Sequence, residues 1–135
     1  MNDDALKNQE QLKQVLNKFP ELKLAFLFGS FATGRQNSDS DLDIAVASGE
    51  VLSVNRKMQL ITELAQSTKR PIDLIDLHMK QEPIFSQVIT KGSLILCRDR
   101  GLYAEFIKQA IYNAADFLPL RARILDERRE KWLNS

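Results

Sequence analysis

Two short, nearly unbroken apolar runs, Leu22 to Phe28 and Leu42 to Ala47, constrain the fold of this chain more than any other feature. Each is too short for a buried helix. Gly29 closes the first, and the polar, turn-rich stretch Gly34 to Ser40 precedes the second, so both runs predict buried strands. Their closeness in sequence makes them neighbours in one sheet. Helical patterns surround them. Leu6, Leu12, Val15, Leu16 and Phe19 recur at helical spacing behind Asp3 and Asp4, which suit a helix N-terminus, and Pro20 marks the stop. Val51, Val54, Met58, Ile61 and Ala65, with Lys57, Leu60 and Leu64 beside them, predict an amphipathic helix from about Ser53 to Ser67.

Pro71 to Leu77 reads as a third strand. Pro83 suits the first turn of a helix with the stripe Ile84, Phe85, Val88 and Ile89, and Gly92 follows as its C-cap. Leu94 to Cys97 adds a fourth strand. After a turn at Arg98 to Gly101, the residues Leu102, Phe106, Ala110, Ile111, Ala114 and Phe117 trace a long helix to Pro119, and Leu120 to Ser135 continues helically beyond a kink. Helices interleaved with short strands predict an α+β (α/β-like) fold, a small mixed sheet with helices packed on it. The 135 residues suit one ordinary domain, 1–135, with a core at about 20–97 and a C-terminal helical extension at about 102–133.

Charge narrows the classes of partner. Nineteen basic residues stand against 18 acidic ones: residues 1–70 carry 9 of each sign, and residues 71–135 carry 10 against 9. Neither half has the basic excess of a nucleic-acid or anionic-membrane binder, so direct nucleic-acid and membrane contacts are not expected. The single Cys97 permits no internal disulfide, and the lone His78 leaves no partner for a Cys/His zinc site. His78 itself is expected to end a strand. With no basic-then-apolar leader at Met1 to Ala5 and no run of about 18 apolar residues, a cytoplasmic protein is expected.

The chemistry concentrates in one segment. The first strand ends at Gly29-Ser30, where glycine lets the backbone approach a ligand and the next N–H groups, with the Ser30 hydroxyl, can meet phosphate oxygens. Ten residues on, Asp41 and Asp43 stand at i and i+2 of a strand, so both carboxylates point to one face, roughly 6 to 7 Å apart at Cα. Asp39 makes a similar pair with Asp41 but lies in the polar loop. Asp73 or Asp76 can supply a third carboxylate; alternation puts them on opposite faces of the third strand, and Asp73 is preferred because it lies near the strand's start. Three converging carboxylates repel one another when ionised, and two Mg²⁺ ions bridging a triphosphate relieve that. Arg35, in the spacer, is within reach of such a triphosphate.

Gly-Ser, a ten-residue spacer, Asp-x-Asp followed by apolar residues, and a later strand Asp together resemble the polymerase β-type nucleotidyltransferase superfamily. The resemblance covers about Leu22 to Leu77. It implies that Asp41, Asp43 and Asp73 hold two Mg²⁺ ions, that Gly29 and Ser30 grip the nucleotide phosphates, that ATP is the substrate, and that the third aspartate helps activate the attacking hydroxyl.

Larger members carry an acceptor-binding domain for which this chain has no room. In this it looks like the minimal nucleotidyltransferase antitoxins, which are paired with a small HEPN-domain ribonuclease toxin. That resemblance implies transfer of AMP from ATP to a tyrosine hydroxyl of the toxin, neutralising it. Two alternatives stay open: adenylylation of a small molecule of aminoglycoside type, and a non-catalytic antitoxin that covers its toxin through the final helix and Trp132. The cluster Arg121, Arg123, Arg128, Arg129 and Lys131 is interrupted by acids and reads as a solvated helix face.

Overall fold

The structure is a computed structural model describing residues 3–29 and 41–116, with side chains described for 9–29 and 41–113. Its elements run α1 (Asp3–Leu16), β1 (Leu24–Phe28), β2 (Leu42–Ala47), α2 (Val54–Thr68), β3 (Ile72–Asp76), a 3₁₀ turn (Leu77–Met79), α3 (Ile84–Lys91), β4 (Ser93–Cys97) and α4 (Arg100–Asp116). The four strands form one sheet in the order β3-β2-β1-β4. β1 pairs antiparallel with both β2 and β4, whereas β2 and β3 are parallel, so the sheet is mixed as the pattern predicts.

Strand alternation divides the core between two faces. Ala25, Leu27, Leu42, Ile44, Val46 and Leu74 meet Leu12, Leu16, Leu60 and Leu64 from α1 and α2. On the other face Leu24, Phe26, Ala45 and Ala47 meet Phe85, Val88, Phe106 and Ala110 from α3 and α4. Phe85 and Phe106 pack edge to face at 5.2 Å between centroids, a favoured aromatic geometry.

Several boundaries differ from the sequence-based expectation, each for a reason visible in the fold. α1 stops at Leu16 instead of running to Pro20, because Lys18 and Phe19 turn back onto the carbonyls of Val15 and Leu16 three residues earlier. Arg98 Nη1 then donates to the carbonyls of Phe19 and Leu22 at 2.8 and 3.0 Å, holding the exit by a partner far along the chain. In α2 the buried residues are Leu60, Leu64 and Thr68, while Val54 and Met58, expected on the apolar stripe, are 77% and 56% exposed. Ile111, placed on the stripe of the last helix, is exposed as well; Phe106 and Ala110 carry that contact.

Ser53 caps α2 by accepting the Arg56 N–H at 3.2 Å, and Lys69 closes it in the left-handed conformation. Gly92 ends α3 as expected, but with extended backbone rather than a positive φ. Glycine is required there by space, since a Cβ would press on the carbonyl oxygens of Val88 and Leu27. The last helix begins at Arg100, inside the segment read as a turn, with Asp99 accepting the Leu102 N–H at 3.0 Å. Expectations for residues 117–135, including the kinked extension and Trp132, lie outside the described residues, as do those for Ser30, Arg35 and Asp39.

Candidate active site

The carboxylates come together because of the strand register. β2 and β3 run in parallel with Asp43 opposite Asp73, and across the other edge of β2 Asp43 faces Phe28, the last residue of β1. Leu42 N–H donates to the Pro71 carbonyl at 2.9 Å, so the two parallel strands start level. Alternation then sends Asp43 and Asp73 to the face that carries Ala45, Phe26 and Ile75. Asp41 stands just before β2 and is exposed, as is Asp73; Asp43 is half-buried.

Burial, reinforced by crowding of like charge, sets the protonation of Asp43. Asp43 is pushed up to about 6 from an ordinary value of 3.8, first by burial, then by the negative field and hydrogen bond of Asp73, and lastly by the field of Asp41. The protonated Asp43 thus shares its hydrogen with the Asp73 carboxylate. Three oxygen-donor, mutually repelling acids are what a hard divalent cation neutralises, so the residue chemistry fits magnesium. Among the described residues no three His, Cys, Asp or Glu side chains are already gathered into a metal-holding cluster; Asp43 and Asp73 are gathered, and Asp41 acts on Asp43 through its field.

Gly29 completes the described part of the site. It follows β1 with φ +70°, a conformation that strains any residue with a Cβ. A Cβ there would also collide with Asp43 Oδ2. Glycine is therefore the seat of the Asp43 carboxylate as well as a turn residue, a second demand that becomes legible only when β1 and β2 are paired.

Asp76 is not part of this site. It points to the opposite face, where it is buried and accepts the N–H groups of Leu52 at 2.8 Å and His78 at 3.0 Å. Both of its oxygens thus serve the loop into α2 and the 3₁₀ turn. His78, for which the sequence offered no partner, is bonded through Nε2 to the Ser48 carbonyl at 2.6 Å and packs edge to face on Phe106. It closes the far end of the sheet, away from the carboxylates. Arg56, unremarked in the sequence, holds α2 to the segment after α1, pairing with Glu21 at 2.5 and 3.0 Å and lying over the Phe19 ring.

Residues 10–101 match the family described as Polymerase beta, Nucleotidyltransferase. Over 87 residues the chain is 33% identical to the protein adenylyltransferase MntA of Shewanella oneidensis, a match that covers 64% of this chain and 63% of that protein's length. A toxin-antitoxin structure with AMP-PNP is similar with a TM-score of 0.73 and 28% identity, covering 90% of this chain and 98% of that one. The structure of the tri-AMPylated Shewanella oneidensis HEPN toxin in complex with MNT antitoxin is similar with a TM-score of 0.69 and 25% identity, covering 93% and 98%. No helix among the described residues is long and apolar enough to cross a membrane.

Proposed function

The chain belongs to the polymerase β-type nucleotidyltransferase family, and from that premise we propose that it is a protein adenylyltransferase acting as an antitoxin. It transfers AMP from ATP to a tyrosine hydroxyl of a cognate HEPN-domain ribonuclease toxin and so neutralises it. The observation that carries this reading is the Asp43–Asp73 pair, set side by side by the parallel register and seated against Gly29. The likeness to the adenylyltransferase MntA and to toxin-antitoxin complexes, one holding AMP-PNP and one a tri-AMPylated toxin, supports the choice of ATP and of the acceptor.

In this reading Asp41, Asp43 and Asp73 hold two Mg²⁺ ions. When bound, those ions neutralise the carboxylates and the triphosphate and stabilise the departing pyrophosphate. The protein's own groups do the rest. Gly29, with Ser30 and Arg35 beyond the described residues, grips the phosphates and aligns the α-phosphorus. The tyrosine oxygen attacks that phosphorus; the new O–P bond forms as the bond to the α,β-bridging oxygen breaks, and pyrophosphate leaves. Asp73, the more exposed member of the pair, takes the phenolic proton. The whole of 1–135 serves as one nucleotidyltransferase domain, working in the cytoplasm.

Incubation with labelled ATP, Mg²⁺ and the product of the adjacent gene, expected to be a HEPN-domain protein, is expected to place AMP on a tyrosine of that protein, and chelation of Mg²⁺ is expected to stop it. An unmodified toxin that is still neutralised by a variant carrying both Asp41→Ala and Asp43→Ala would instead establish steric neutralisation. Label on an aminoglycoside would establish the small-molecule transferase.

A further inference from the structure

The chain has two tyrosines, and they sit in opposite circumstances. Tyr103 is half-buried, its ring edge to face with Phe26 at 5.8 Å between centroids. Tyr112 is 67% exposed, about one turn before the end of α4. Beside it lies a groove of about 490 Å³ whose other polar walls are Lys80, Glu105, Lys108, Gln109 and Asn113. That volume falls within the roughly 300 to 1,000 Å³ usual for small-ligand pockets. Two ammonium groups against one carboxylate leave the groove cationic where the phenol emerges.

The groove is held in shape from below. Asn113 Nδ2 donates to Glu82 Oε1 at 3.0 Å, and the same oxygen accepts from Ser86 Oγ at 2.8 Å, tying α4 to the start of α3. Phe106, on its floor, is locked between Phe85 and His78. Lys80 follows the 3₁₀ turn that leaves the C-terminal end of β3, whereas Asp43 and Asp73 occupy the beginnings of the parallel strands. Asp73 and Asp76 alone are separated by about 10 Å along the strand. Tyr112 therefore lies at the opposite pole from the carboxylates of its own chain.

We propose that Tyr112 is an acceptor for AMP, adenylylated in trans by a second molecule of the same protein, with Lys80 and Lys108 holding the phosphate and the groove receiving the nucleoside. The proposal rests on the transferase reading given above. The phenol oxygen attacks the α-phosphorus of ATP held by the other copy, the α,β P–O bond breaks, pyrophosphate departs and the phenolic proton passes to the Asp73 carboxylate of that ATP-holding copy. An exposed phenol on a helix surface can enter a second molecule's site, and the neighbouring cations favour the phosphodiester that results. The exposed Ile111 and the half-exposed Ile107 beside it offer apolar surface for that encounter.

The test uses the full chain with ATP and Mg²⁺, with and without its HEPN partner, read by intact mass and peptide mapping. Expected without partner is the gain of one adenylyl group on Tyr112, absent from Tyr112→Phe. Tyr112→Phe should still modify the partner at an unchanged rate. Mixing Asp43→Asn chains with catalytically intact Tyr112→Phe chains is expected to label Tyr112 of the former, which establishes transfer between molecules. Modification of the partner while the chain itself stays unlabelled, or equal self-labelling of Tyr112→Phe, overturns the proposal and leaves the transferase reading standing. Absence of label on both proteins overturns both.

Discussion

Replacing Asp43 with asparagine should stabilise the metal-free protein, although it removes a residue of the proposed active site. Asp43 is raised from 3.8 to about 6 by burial and by Asp73 and Asp41. A folded-state value above the unfolded one means that the folded chain holds the proton longer. The stability from that bound proton is complete below about pH 3.8 and is lost as pH rises through about 6. At about 1.36 kcal/mol per pH unit, the interval sets a ceiling near 3 kcal/mol. Asp43 is only half-buried and solvent screens its neighbours, so the working figure is about 1 kcal/mol. In a chain of this size that corresponds to roughly 3 °C in melting temperature.

Asparagine reproduces the protonated acid: its amide donates to Asp73 as the carboxyl hydrogen does, at every pH. Thermal melts in EDTA are therefore expected to show Asp43→Asn about 3 °C above the wild type at pH 8, with the gap closing near pH 4. Excess Mg²⁺ should raise the wild-type midpoint at pH 8 and leave that of the variant nearly unmoved, because ligand binding stabilises only the state that binds it. A variant less stable than the wild type at pH 8 in EDTA would refute the reasoning. So would a gap that does not change between the two pH values.

Gly29→Ala should lose transfer to the HEPN partner by about a hundredfold while the protein stays folded by circular dichroism, because the new Cβ collides with Asp43 Oδ2 and a displacement of about 1 Å is that costly at a reacting centre. Asp76→Ala should do the reverse, lowering unfolding free energy in urea by about 1 to 3 kcal/mol through two unsatisfied N–H groups, with transfer per folded molecule close to the wild type. Asp73→Asn should abolish transfer with little change in the urea midpoint, so the two aspartates of β3 separate by assay. Phe85→Ala, at a site 1% exposed against Phe106, should cost about 3 to 5 kcal/mol in the same titration.

Local chemistry made some elements readable and left others hidden. β2 is found from Leu42 to Ala47 as read, since a continuous apolar run has no other place in a small domain, and α2 is displaced by one residue because Ser53 is its cap. Which side of α2 faces inward was not readable. Val54 and Met58 are as apolar as Ile61, and only the position of α1 across the helix decides that Leu60 and Leu64 are covered. The stop of α1 was hidden for the same kind of reason, because Arg98, which takes up the carbonyls beyond it, stands more than 70 residues away. His78 lacked a visible partner because that partner is a backbone carbonyl, a group every residue carries and no pattern marks.

At the site, the division between legible and hidden falls within single residues. Asp41-x-Asp43 announces a shared face by spacing alone, but the preference for Asp73 over Asp76 depended on which strand lies beside β2. Parallel pairing with Asp43 opposite Asp73 sends Asp73 to the carboxylate face and turns Asp76 into a buried acceptor for two backbone N–H groups. The same pairing gives Gly29 its second role. Backbone freedom alone would tolerate asparagine or aspartate in the left-handed region at modest cost. Space occupied by the Asp43 carboxylate excludes them, so the turn and the acid are one device: a side chain at position 29 would move the group that the strand register has just placed.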